Sequence, residues 1–565
     1  MQSAETIFAA RDQIRHRLEM RLEAFDRGYR QNIGLIGRAG TGKTHLLCSL
    51  YQSLCGRDNL IPVYIPPDSL GYEQFVERWI AGLLTGLFLS RSLSPPKDFS
   101  SLVSASESLV PKTREQVRRV KKMIRREKAS FWMRELFALT GVMAEETGKK
   151  IVLMIDEIQS LDCLPVSDPY ALLGKEIMVA KDTFYLVSSS KAQRAREIFR
   201  DKLSLLFGNF EVLEMQTLDF QQSVEFLGAR LPGCHLQDAQ KKFILAMTDG
   251  EPVYLKLLAD RLRWMLPSAE SNHLSEDLLV EAFAHELFDY HGRIALVFDS
   301  KLESVMGLAK DGTACLRVLL AGAEGRRKVA NIATYIDKGT AETKKILQRL
   351  VSEDVLVKRG AFYVLDDPLM RFWLREVYKK RQCLYTPDTG QVWTELKDSL
   401  RQAFHQVSAE ADRDITQRVE TLFKEFRNDL VAWDGRRVRC PHFAEVLFRP
   451  TNGRIFPLVA RGSNANWFCQ VAQDRVREED VALFLEDLKR TRRKLQQKIL
   501  IALGGIEQNA KLMAQEAKIQ LWGLRDFNVL LSVYDLPKMI DWTGEGRHET
   551  TVGTLAQSLY PAERP

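Results

Sequence analysis

Cysteine is scarce in this chain and never paired. The eight cysteines (48, 55, 163, 234, 315, 383, 440 and 469) stand singly, without a CxxC or a Cys/His spacing that would hold zinc, so they read as thiols of a reducing compartment. Cys440-Pro441-His442 is the nearest approach to a ligand cluster and lacks a second half. Long apolar runs are missing too: the longest, Trp79 to Leu89, is too short to span a bilayer, and the first residues, MQSAETIFAARDQ, hold no apolar signal core. Both absences predict a cytoplasmic protein with no membrane partner. A strong charge of one sign is also lacking. The net charge of +7 over 565 residues permits nucleic acid without requiring it. That length exceeds one hydrophobic core and predicts several domains.

What is present begins at Asn32. The apolar run Ile33, Leu35, Ile36 ends in Gly37-Arg38-Ala39-Gly40-Thr41-Gly42-Lys43-Thr44, and His45 to Leu50 continue as an amphipathic helix. Strand, glycine-rich loop and helix in that order predict a phosphate cradle: backbone N–H groups from Gly37 to His45 turn inward, and the helix adds its positive end. Lys43 would meet the β- and γ-phosphates of ATP, and Thr44 would hold Mg²⁺ through its hydroxyl.

Two further apolar strands complete the pattern. Ile151 to Ile155 lead into Asp156-Glu157, which places an acidic pair at the carboxyl end of a buried parallel strand. Asp156 would coordinate Mg²⁺, and Glu157 would polarise the attacking water. Thr183 to Ser190 repeat the form and end in hydroxyls. Ser189 is expected between the acids and the γ-phosphate, or as an N-cap for the next helix. Strands alternating with helices over 1–215 predict a doubly wound α/β domain. Within it, 91–111 is Ser- and Pro-rich and reads as a loop. The segment 112–128 reads as a basic helix with Val117, Val120, Ile124 and Phe131 on one stripe. Arg118 and Lys122 lie on its charged faces, suited to a phosphate backbone or to a solvated surface.

From Thr217 the pattern turns helical. Gly250-x-Pro252 opens one helix, with Pro252 in its tolerated first turn. Residues 313–365 read as three helices and two strands about Arg359-Gly360, a winged helix. Ile346, Leu347 and Leu350 face its core. Thr340, Thr343, Lys344, Lys345, Gln348 and Arg349 face a major groove of duplex DNA, with Lys358 and Arg359 on the phosphates. Winged helices also dock proteins. Residues 393–432 read as helical, and 443–522 as strands and helices of a second α/β domain.

In this order the motifs resemble the archaeal-type ATPases near the origin-recognition and STAND branches of the AAA+ superfamily. Ile7 to Asp12 look like that family's F-x-x-R-[DE] box, in which Arg11 lies near the nucleotide. Residues 366–373 look like its D-P-x-x-R-F-W signature. The resemblance implies an ATPase core over 1–215, a helical lid over 216–300 with Pro252 near the nucleotide, and a winged helix over 301–382. Relatives carry an arginine in L-Y-G-R, where this chain has Leu206-Phe207-Gly208-Asn209. That departure implies that Arg200 or another arginine substitutes, or that hydrolysis is slow and the nucleotide acts as a switch.

Residues 393–541 resemble the PD-(D/E)xK nucleases, ahead of a polar tail over 542–565. Pro457, Gln470 and Ala472 stand where the three catalytic groups would be, which implies an inactive domain. Lys489, Arg490, Arg492, Arg493 and Lys494 would serve its nucleic-acid or protein contacts. Together these features predict an ATP- and Mg²⁺-dependent protein that couples nucleotide state to DNA binding or self-association. A STAND-like scaffold that binds protein is the other expectation.

Overall fold

The computed structural model describes residues 12–67, 71–124, 126–199, 210–266, 273–289, 291–307, 312–382, 390–448, 455–462, 466–490 and 495–540. These fall into two compact units that divide between Gln216 and Thr217.

The first unit is built on a parallel sheet of β1 (Asn32–Ile36), β2 (Leu60–Ile65), β3 (Lys150–Ile155), β4 (Thr183–Ser189) and β5 (Phe210–Glu214). Their order is β2-β3-β4-β1-β5, and every neighbouring pair is parallel. Parallel strands buried on both faces need apolar residues at successive positions, which Ile151 to Ile155 supply. Val152 and Met154 pack with helices α1 (Asp12–Asp26) and α2 (Lys43–Leu54) through Leu18, Leu22, Phe25, Leu46 and Leu47. Ile151, Leu153 and Ile155 point the other way. There they meet Trp79 of α3 (Tyr72–Ser90) and Trp132 and Leu136 of a later helix.

Two expectations for this unit need correction. The stretch 91–111 is not a plain loop: α4 (Phe99–Ala105) forms in it, because the Asp98 carboxylate caps the Ser101 N–H at 2.8 Å and Leu102 is buried. The basic helix α5 (Pro111–Ile124) stops before Phe131, and α6 (Ala129–Thr147) begins a new phase. Trp132, Met133 and Leu136 therefore take the buried face, and Phe131 is 51 % exposed. The unit also contains α7 (Pro169–Val179) and α8 (Ala192–Glu197).

The second unit opens with helices α9 (Phe220–Arg230), α10 (Asp238–Thr248), α11 (Pro252–Met265), α12 (Glu276–Phe288) and α13 (Arg293–Gly307). Gly250 is fixed by a close approach. Its φ is +68°, its carbonyl accepts from Leu218 N–H at 2.9 Å, and an added Cβ would stand 1.9 Å from the Leu218 oxygen. Next come α14 (Gly312–Ala323), α15 (Val329–Ile336), α16 (Thr340–Ser352) and the antiparallel pair β6 (Val357–Arg359) and β7 (Phe362–Val364). On α16, Leu347 and Leu350 are buried, and so is Thr343, contrary to expectation. The Thr343 hydroxyl bonds the Gly339 carbonyl one turn back, which satisfies it inside.

Helix α17 (Pro368–Trp373) is capped by Asp367, and it continues through a π turn (Leu374–Tyr378) into Lys379–Gln382. Helices α18 (Gly390–Ala411) and α19 (Ile415–Lys424) follow. The expected helical stretch to 432 ends early. Asn428 has φ +60°, and β8 (Asp429–Trp433) turns through Asp434-Gly435, both at positive φ, into β9 (Arg436–Cys440). Asp-Gly between alternating residues is a strong hairpin signal, and it prevails over helical spacing here.

A second sheet has the order β10 (Glu445–Phe448), β11 (Ile455–Arg461), β12 (Asn466–Ala472), β13 (Gln497–Ala502), β14 (Gln520–Gly523). The first three strands are antiparallel, and the last two join β12 in parallel. Helices α20 (Glu478–Arg490), α21 (Gln508–Glu516) and α22 (Leu524–Val533) accompany it. Phe362 and Val364 of β7 share one apolar core with Phe423, Val431, Trp433, Trp467 and Trp522. The small hairpin β6–β7 is therefore built into the body of the unit.

Candidate functional site

The carboxyl ends of β1, β3 and β4 carry the loop, the acids and the serines, because a parallel sheet delivers all its strand ends to one edge. Gly40 and Gly42 have φ of +95° and +94°, a backbone that side chains resist. Gly37 has no room for a side chain, since a Cβ would lie 2.5 Å from the Met215 carbonyl oxygen. Lys43 is nearly enclosed. Its ammonium folds back over the loop, donating to the Gly37 carbonyl at 2.7 Å and the Arg38 carbonyl at 2.8 Å. Thr41 is buried and ties its hydroxyl to the Arg38 carbonyl at 2.9 Å. Ala39 is exposed, whereas Arg38, Gly40, Gly42 and His45 are half-buried.

Asp156 is 1 % exposed, yet it has no ion pair among the described residues. Hydroxyls satisfy it: Thr44 donates to Oδ2 at 2.7 Å, Tyr64 to the same oxygen at 3.0 Å, and Ser188 to Oδ1. Burial and the Asp156 carboxylate both push the Tyr64 phenol above its usual range. Burial likewise raises the neighbouring Cys48 thiol.

Glu157 follows at φ +51°, so the chain turns at once and the second acid leaves in another direction. Its Oε2 accepts from the Ser190 N–H and hydroxyl, both at 2.7 Å, and from the Gln159 amide at 2.5 Å. Oε1 accepts nothing among the described residues. Ser189 makes no hydrogen bond to either acid among the described residues. Strand alternation puts Ser188 and Ser190 on the side of the acids, while the Ser189 hydroxyl donates to Gln159 Oε1 at 2.7 Å. Tyr64, Gln159, Ser188 and Ser190 were thus missed, although the period of two was present in the serine run.

Thr44 and Asp156 form a hard-oxygen pair that suits Mg²⁺, which keeps most of its shell as water and phosphate. No group of three or more His, Cys, Asp or Glu that could hold a metal ion is present among the described residues. Arg194 pairs with Asp162 and Glu197, and Arg196 with Glu214, so both cations already hold partners in the unit. Arg11, Arg200 and Leu206 to Asn209 lie outside the described residues. Also outside are Arg492, Arg493, Lys494 and the tail 542–565, and the side chain of Arg490.

In the second unit Pro252 is buried at the start of α11. The turn before it is held from far along the chain. The Lys538 ammonium reaches both Asp249 oxygens, at 3.0 and 3.1 Å, and Asp366 at 3.2 Å. Three residues earlier, Asp535 accepts from Arg327 and Arg371. Burial lowers the Arg327 pKa, and Asp535 opposes that shift.

Lys344, Lys345 and Gln348 are exposed along α16, and Arg349 is half-buried. Lys358 is exposed beside the Tyr363 ring, and Arg359 is half-buried. In the first unit Arg118 and Lys122 are exposed on α5. Pro457 pairs with Gln470 in the β11–β12 register, and the buried Gln470 amide donates to Asp487 at 3.0 Å.

No family model matches the chain, and no curated protein matches it. Solved structures are similar in part. The Walker-type ATPase of Pyrococcus abyssi is 16% identical over 64% of this chain and 93% of its own, with a TM-score of 0.41. The ORC2 protein of Aeropyrum pernix, in ADPNP–ADP complexes, is 13% identical over 66% of this chain and 95% of its own, TM-score 0.41. The ORC1 protein of the same organism, in complex with DNA, is 14% identical over 65% and 93%, TM-score 0.34. Likeness at this level assigns neither a family nor an activity to the chain.

Proposed function

We propose that the first unit binds and hydrolyses ATP, and that the protein is an AAA+-type ATPase which couples nucleotide state to its grip on duplex DNA or to self-association. The observation that carries this reading is the joining of Thr44 to Asp156 beneath the Gly37–Thr44 loop, with Glu157 set apart on Ser190 and Gln159. In this reading Gly37 to His45 hold the phosphates, and Lys43 exchanges its loop carbonyls for phosphate oxygens. Thr44 and Asp156 hold Mg²⁺, which screens the phosphate charge. The free Oε1 of Glu157 orients the attacking water. Ser188 and Tyr64 keep Asp156 in place.

Residues 301–382 serve as a winged helix whose exposed Lys344, Lys345 and Gln348, with Arg349, meet DNA. The lid over 216–300 and the domain over 393–541 are read as in the resemblance, the latter without nuclease activity because Pro457, Gln470 and Ala472 provide no carboxylate. A STAND-like scaffold that binds protein is the second reading, supported by the wing turn: Ala361 N–H donates to the Leu430 carbonyl of the same unit at 2.9 Å, so that turn packs on the body of the unit and not on DNA.

The two separate in a salt titration of duplex binding. Lys344→Ala with Arg349→Ala lowers the log–log slope by about two if both meet phosphates. An unchanged slope removes α16 from the interface, and no binding at low salt favours the scaffold.

A further inference from the structure

The hairpin β8–β9 carries a charge pattern that the fold does not use. Its register pairs Leu430 with Arg439, Val431 with Val438, Ala432 with Arg437 and Trp433 with Arg436. Val431, Trp433, Val438 and Cys440 are buried, so alternation sends Leu430, Arg437 and Arg439 to the opposite, exposed face. The nearby acids are already neutralised. Asp429 pairs with Lys328 at 2.8 Å, Asp434 with Arg525 at 3.4 Å, and Asp526 with Arg436 at 3.2 Å. Arg437 and Arg439 have no ion pair among the described residues.

The free edge of β8 is occupied by the turn of the β6–β7 hairpin. Ala361 donates to the Leu430 carbonyl, and Gly360, at φ +69°, approaches so closely that a Cβ would stand 2.2 Å from that oxygen. The wing turn, β8 and β9 therefore lie side by side as three lanes. Neighbouring lanes are about 4.8 Å apart, which places the wing turn roughly 10 Å from β9. Along β9, Arg437 and Arg439 are separated by about 6.7 Å on one face. A single exposed Leu430 among these cations offers no apolar anchor of the kind a protein hot spot needs. Guanidinium groups instead suit phosphate oxygens, which they bind in bidentate fashion.

We propose that the outer face of β8–β9 extends the DNA-binding surface beyond the wing, with Arg437 and Arg439 engaging phosphates next to those met by Lys358. This rests on the reading of the chain as DNA-associated. The contact is a phosphate contact, so it adds affinity and salt dependence without base preference.

The full chain is titrated with a fluorescent duplex over a range of salt, as wild type, as Arg437→Ala/Arg439→Ala and as Arg437→Lys/Arg439→Lys. The alanine pair loses about two units of log–log slope, the lysine pair keeps the wild-type slope, and thermal unfolding is the same in all three because both side chains are exposed. A wild-type slope in the alanine pair overturns the inference while leaving the DNA reading intact. Absence of any wild-type binding at low salt defeats the DNA reading itself, and the inference with it.

Discussion

The two units reach their organisation by opposite routes. In the first, the chemistry is assembled at one sheet edge: loop, acids and serines leave neighbouring strands, and hydrogen bonds of 2.7 to 3.0 Å from hydroxyls and a backbone N–H join them. In the second, distant segments hold one another. Lys538 and Asp535, near the end of the described chain, secure Asp249, Arg327, Asp366 and Arg371. Tyr534 lies edge-on to Phe362 of β7, and the Arg418 guanidinium reaches the Pro537 carbonyl at 2.6 Å.

Substitutions can break this contrast, in decreasing order of effect. Gly250→Val forces a side chain against the Leu218 carbonyl at positive φ and should cost about 3 kcal/mol or more of the second unit's stability, read as a lower urea midpoint. Asp535→Ala leaves the buried Arg327 guanidinium without its carboxylate. The loss is set at about 2 kcal/mol, below that for a wholly buried pair, because Asp535 is half-exposed. Hydrogen exchange should then rise around Arg327 and Arg371, while β1 to β5 keep their protection. Equal loss in both units would mean that the contrast is false. Tyr64→Phe removes one of three hydroxyls from Asp156 and should cost about 1 kcal/mol, confined to the first unit.

Legibility in the sequence follows the same divide. The parallel strands were readable because burial on both faces leaves continuous apolar runs such as Ile151 to Ile155, and the glycines at 40 and 42 mark a backbone that only they adopt easily. The contacts of Ser188 and Ser190 with the acids were legible only through the period of two in the serine run, which sets them on either side of Ser189. Tyr64 left a fainter trace, a polar tip at the end of an apolar strand. The β8–β9 hairpin was announced by Asp434-Gly435 but masked by the helical spacing before it. No local pattern marks Asp535 or Lys538, whose partners lie more than 150 residues earlier. Long-range ion pairs have no period.

The proposed role of Glu157 is to act on ATP held by the Gly37–Thr44 loop. Single-turnover hydrolysis by wild type and Glu157→Gln, with nucleotide retention followed in the same samples, tests it most directly. The variant should retain ATP and hydrolyse it on the order of 100-fold more slowly. Equal turnover in the two proteins would contradict that role.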